Sequence, residues 1–155
     1  MDIITSHPLD WPNLIVGFVL GCVAAYAAHA YYDRRQETKR ASRLRDRYGK
    51  LAHAYANYRP DGTATGGSVE LSQNQDGSFK MIGLNADRTV DWESVLWMDE
   101  QFENHGTARY CHEHGEAYGV QLIRYAPESG ELHVKGIRES AGPPLVFHHI
   151  WRPKQ

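Results

Sequence analysis

The sequence predicts a mainly β protein: an eight-stranded antiparallel up-and-down barrel preceded by one transmembrane helix and a basic juxtamembrane helix. Three observations carry that expectation. Residues 11–32 contain no Lys, Arg, Asp or Glu. Residues 33–50 hold eight Lys/Arg against three Asp/Glu, a net of +5. From residue 52 onward, short alternating segments are separated by glycine, proline, asparagine and aspartate at regular spacing.

The uncharged run comes first. As a helix it extends roughly 33 Å, which matches a hydrocarbon core of about 30 Å. Trp11 stands at one end and Tyr31 and Tyr32 at the other, where amphipathic rings favour the headgroup level. A cleaved export signal carries basic residues ahead of its apolar stretch, whereas only Asp2 and Asp10 precede this one. The competing reading is a buried core helix, for which a small β domain has little room. The basic flank follows the helix, so the positive-inside rule predicts residues 1–10 outside the cell and the rest in the cytoplasm, at the cell's inner (plasma) membrane. Gly17, Gly21 and Ala25 repeat at every fourth position, a spacing that lets two helices approach closely in lipid and predicts a homodimer.

The segment 33–50 reads as the same helix continuing to Gly49. Leu44, Tyr48 and Leu51 fall at i, i+4 and i+7, a narrow apolar stripe suited to rest on the following domain. Its basic face suits an anionic bilayer surface, a more economical reading beside a membrane helix than nucleic acid.

Residues 51–155 form the barrel domain, with strands expected near 52–58, 67–73, 77–84, 89–98, 105–113, 117–125, 131–138 and 145–152. Asp61-Gly62, Asp76-Gly77, Asn85-Ala86-Asp87, Asn104, Ser129-Gly130 and Gly142-Pro143-Pro144 punctuate them, as residues that accept tight-turn geometry. No connection is long enough for a crossover helix, so neighbours run antiparallel, and closure removes the exposed edges of an open sheet. Val69 with Leu71, Phe79 with Met81, Leu132 with Val134, and Leu145 with Phe147 and Trp151 each share a face. "VDWESVLWMDE" is ambiguous, since Trp92, Leu96 and Met98 oppose Val95 and Trp97.

The short basic helix, "LAHAY" opening the first strand and eight hairpin-linked strands ending in "FHHIWRPK" together resemble the lipocalin-like (calycin) barrels. That resemblance implies Tyr55 as the first-strand aromatic and Arg152 as the base packed across it to close the barrel. A membrane helix ahead of a minimal cytosolic barrel is also similar to the membrane-anchored effectors of bacterial anti-phage systems that sense cyclic oligonucleotides.

Catalytic signatures are weak. "CHEH" (Cys111–His114) is the densest cluster of metal-ligand types, but on a strand only His112 and His114 converge, short of the three or four ligands zinc requires. Asp91 and Glu93 are spaced as a solvated outer face, and "DGTATGG" lacks the Lys-Ser/Thr ending of a phosphate loop. The expectation is a non-enzyme with no cofactor and no metal.

A ligand site is the sharper reading. Arg109, Gln121 and Arg124 sit in mid-strand, and an interior arginine demands a partner, from the protein or from a ligand. Trp92, Tyr118, Phe147 and Trp151 are expected to line a cavity, or else to fill the core. Residues 51–155 carry nine Lys/Arg against fourteen Asp/Glu, a net of −5 that disfavours nucleic-acid polymers. The expected function is therefore a membrane-anchored binding module for a small lipid-like or anionic ligand. The alternatives are an effector that signals through helix association, and a filled barrel that docks another protein.

Overall fold

The structure is a computed structural model that describes residues 11–112 and 117–154. The chain divides into two compact units, residues 1–39 and 40–155. A single helix, α1 (Trp11–Tyr48), spans the division, and a 3-10 turn, Gly49–Leu51, ends it. The second unit begins eleven residues ahead of the barrel domain expected from residue 51, because the last turns of α1 pack with the barrel.

In the first unit, α1 is long and apolar enough to cross a membrane, and none of that stretch is buried within the protein. A core helix of a soluble protein is mostly covered, so this exposure favours the spanning reading. Gly17 and Gly21 lie on open surface, with no atom within 4 Å of where a Cβ would stand.

In the second unit, β1 (Ala54–Tyr58), β2 (Ala64–Gln73), β3 (Phe79–Leu84), β4 (Val90–Met98), β5 (His105–His112), β6 (Tyr118–Ala126), β7 (Glu131–Glu139) and β8 (Leu145–Pro153) form a closed antiparallel barrel in sequence order. β8 pairs back onto β1, with Tyr55 opposite Pro153 and Ala56 opposite Arg152. The expected fold class is the observed one. Aspartates set several hairpins: Asp61, Asp76 and Asp87 accept the backbone N–H groups of Thr63, Ser78 and Thr89. Hydrogen bonds from these same partners hold the three carboxyls below their ordinary range.

The interior has two different ends. At one, the α1 stripe acts as a plug: Leu44, Tyr48 and Leu51 are buried with Leu71, Phe79, Met98 and Leu132. The Tyr48 hydroxyl accepts the Asn104 N–H at 3.1 Å, and the Tyr55 hydroxyl donates to the Leu51 carbonyl at 3.3 Å. Gly77 permits the close fit, since a Cβ there would stand 3.0 Å from the Leu44 Cβ. Arg40 pairs with Glu100 at 3.2 Å, and Arg47 with Glu103. Both pairs are half-exposed and contribute little to stability. The middle of the barrel is filled by Met81, Leu96, Ile123, Val134 and Trp151. At the opposite end, where β1, β3, β5 and β7 finish, no element among the described residues caps the barrel.

The alternation of β4 is settled by burial: Ser94, Leu96 and Met98 point inward and Val95 and Trp97 outward.

Candidate functional site

The open end holds a cavity of about 170 Å³ whose lining includes Asn57, Asp91, Trp92, Tyr110, His112, Gln121, Arg138, Phe147, His149 and Trp151. Its walls are aromatic. Trp92 stacks on Trp151 with centroids 6.0 Å apart, Tyr110 meets Trp92 at 5.8 Å, and Phe147 meets Tyr110 edge-on at 6.1 Å.

Strand glycines position these rings. Trp92 lies opposite Gly83, Tyr110 opposite Gly119, and Phe147 opposite Gly136 in the strand register. A Cβ at Gly83 or Gly136 would collide with the facing ring, and one at Gly119 would stand 2.7 Å from Cε1 of Tyr110. Each wall ring thus lies flat over a neighbouring strand that has no side chain of its own, the cross-strand pairing of aromatic and glycine by which sheets cover a glycine.

Among the described residues, eight buried side-chain polar atoms have no hydrogen-bond partner, and six of them line this one cavity. They are Asn57 Oδ1, His112 Nε2, Gln121 Oε1, Arg138 Nε, His149 Nδ1 and Trp151 Nε1. Buried polar groups are overwhelmingly paired, with protein, water or ligand, so a cluster of six marks a place built to meet something polar. Arg138 Nε and Trp151 Nε1 can only donate. Asp91 is already engaged, its Oδ1 3.1 Å from His112 Nδ1. Burial lowers the His149 pKa, so its imidazole is neutral at pH 7. Burial also pushes the Tyr110 hydroxyl up to about 12, which keeps it a neutral donor.

Four of the seven expected ligand residues meet here: Gln121, Trp92, Phe147 and Trp151. The other three face outward. Arg109 and Arg124 fall on the exposed parity of β5 and β6, because Ala108, Tyr110, Gln121 and Ile123 take the inner one. Tyr118 is exposed and donates to Glu139 at 2.8 Å. The arginine at the cavity is Arg138 instead. Tyr55 and Arg152 do not pack on each other, since they occupy opposite faces of the barrel wall. Tyr55 is buried, while the Arg152 guanidinium lies 4.8 Å over the Tyr58 ring and pairs with Glu131 at 2.9 Å. The β1–β8 seam closes by its backbone ladder, with Arg152 bracing it from outside.

Of "CHEH", Cys111 is exposed and His112 turns toward Asp91, while Glu113 and His114 lie outside the described residues. Among the described residues no three His, Cys, Asp or Glu converge on one point.

Sequence reasoning missed Asn57, Arg138 and His149. For Arg138 the signal was present: Leu132 and Val134 are inward, and the same period of two carries Gly136 and Arg138 to the same side. The strand-interior glycines were a second signal, since each marks a ring laid across it.

A wider depression lies on the outer wall, bordered by Trp97, Phe102, Leu122, Arg124, His133 and Lys135. Only one of the eight unpartnered buried atoms, His148 Nε2, belongs to it. With six of those atoms against one, the open end is the better candidate.

Comparison with known protein families, with curated proteins and with solved structures found no match. Fold and site define a small closed β-barrel, plugged at one end and polar at the other, joined to one helix that can span a bilayer.

Proposed function

We propose that the protein is a single-pass membrane-anchored barrel that binds a small ligand, without catalysing its conversion, at the open end of a lipocalin-like domain. The observation that carries this reading is the gathering of six unpartnered buried polar atoms around one aromatic-walled cavity. Eight-stranded barrels have room for their own side chains or for one small ligand. This barrel is filled toward the plug and hollow at the other end, a division that fits the second use.

The volume narrows the ligand. About 170 Å³ is below the roughly 300–1,000 Å³ of sites for drug-sized molecules and close to the roughly 150 Å³ cavity that accepts benzene. An acyl chain has nowhere to go past Ile123, Val134 and Trp151, and a cyclic oligonucleotide is far larger than one ring. The lipid-like half of the expectation is therefore disfavoured, and so is a cyclic-oligonucleotide sensor. The excess of Lys/Arg after the helix supports a cytoplasmic barrel with residues 1–10 outside.

The test is native mass spectrometry of the full chain, released in the spectrometer from detergent after purification from its own cells. A co-purifying small molecule is expected with the unaltered protein and not with Trp151→Phe, which keeps the ring but removes the indole donor. A chain that retains only water in every preparation would refute the proposal.

A further inference from the structure

Resting on the reading of the open end as a ligand site, we infer the chemical class of its ligand: a single planar aromatic ring with a carboxylate at one end and a hydroxyl at the other. The argument follows the depth of the cavity. Arg138 stands at the rim, near the end of β7. Gln121 lies opposite Gly136, two residues further in along the same strand. Two residues of strand span about 6.6 Å, which corresponds to one ring substituted at opposite ends.

The rim supplies a charged donor that nothing among the described residues engages at Nε. The nearby carboxylate, Asp91, is turned to His112, so the group that satisfies Arg138 is left for the ligand to bring. The middle is bounded by the rings of Trp92, Tyr110 and Phe147, which favour a flat apolar body. Further in than Arg138, the same cavity is lined by Gln121 Oε1 and Trp151 Nε1, both unpartnered, in side chains 3% and 1% exposed. One accepts and the other donates. A hydroxyl is the smallest group that does both in return, donating to the amide oxygen and accepting from the indole N–H. A cationic ring is opposed by Arg138, and a plain hydrocarbon ring leaves all three groups unpaired, the costly outcome for buried polar atoms.

The probe is 4-hydroxybenzoate, titrated into the full chain in detergent micelles and followed by the fluorescence of Trp92 and Trp151. 4-Hydroxybenzamide, neutral and nearly isosteric, is the comparison. The acid is expected to bind about tenfold or more tightly than the amide, as a charge-assisted pair predicts. Arg138→Gln should erase that preference, weakening the acid by a similar factor and leaving the amide unchanged. Equal binding of acid and amide, or an acid indifferent to Arg138→Gln, overturns the inference. Should Arg138→Gln fail to fold, the comparison on the unaltered protein decides alone. If mass spectrometry finds a bound molecule that is neutral, cationic or lacks a ring, the class is wrong while the site stands. If neither probe binds and no molecule co-purifies, the site itself is refuted.

Discussion

The two ends of the barrel are made from the same eight strands yet solve opposite problems. At the closed end, inward positions are mostly apolar and the α1 stripe completes the packing: Leu44, Tyr48 and Leu51 join Phe79, Met98 and Leu132 in one core, with the unpartnered Gln73 Nε2 beside Gly49 as an exception. At the open end, inward positions of the same strands carry Asn57, Gln121, Arg138 and His149, and no element of the described chain covers them. One end is organised for stability. The other retains polar groups whose desolvation is a standing cost, a local exception that the proposed binding role would account for.

That contrast can be broken or sharpened by substitution. The largest effect is expected at the closed end. Phe79 is fully buried, and Phe79→Ala should cost about 3–5 kcal/mol of stability, through lost burial and the cavity left behind. Thermal or denaturant unfolding of the full chain in detergent measures it. A cost below about 1 kcal/mol would mean that this end is not a packed core. The opposite sign is expected at the other end. Gln121→Leu removes an unpartnered buried oxygen and should leave stability unchanged or raise it by about 1 kcal/mol. A marked loss would show that Gln121 serves the fold.

The smallest effect is a pH dependence. Burial, opposed by a hydrogen bond to the Tyr58 backbone and reinforced by the neighbouring His148 and Arg59, lowers the His149 pKa from 6.5. The folded state therefore prefers the neutral ring. Its contribution is complete above 6.5 and declines as pH falls from 6.5 through the lowered value, because the unfolded chain takes up the proton first. His149→Phe should flatten the melting temperature between pH 6.5 and pH 5, and an unchanged slope would place the acid sensitivity elsewhere.

Most of the scaffold could be read without coordinates. The strands lie within about three residues of their expected limits because turn residues and alternation reinforce one another, and the Leu44–Tyr48–Leu51 stripe announced the plug. The site was half legible, for a specific reason. In β6 the exposed residues Val120 and Leu122 are as apolar as the buried Ile123, so hydropathy gave no parity, and Arg124 could be assigned to either side. In β4 the same happened with Val95 and Trp97. The outer wall of β4 to β7 is itself apolar in places, and a pattern that depends on polar-outside contrast loses its force there. In β7 the contrast is intact, and extending it by two more steps would have placed Arg138 at the rim.

The rings laid across Gly83, Gly119 and Gly136 carry a consequence for how this protein can change over generations. Replacing Gly83 or Gly136 with alanine inserts a single methyl group into space the facing ring occupies, so the wall and the empty position opposite it must be altered together, whereas at Gly119 the Ile137 carbonyl blocks a methyl group first. Drift at the open end should proceed by paired exchange, a smaller ring matched with a newly acquired side chain. Related chains with a different wall would then be recognised first by what has appeared at positions 83 and 136.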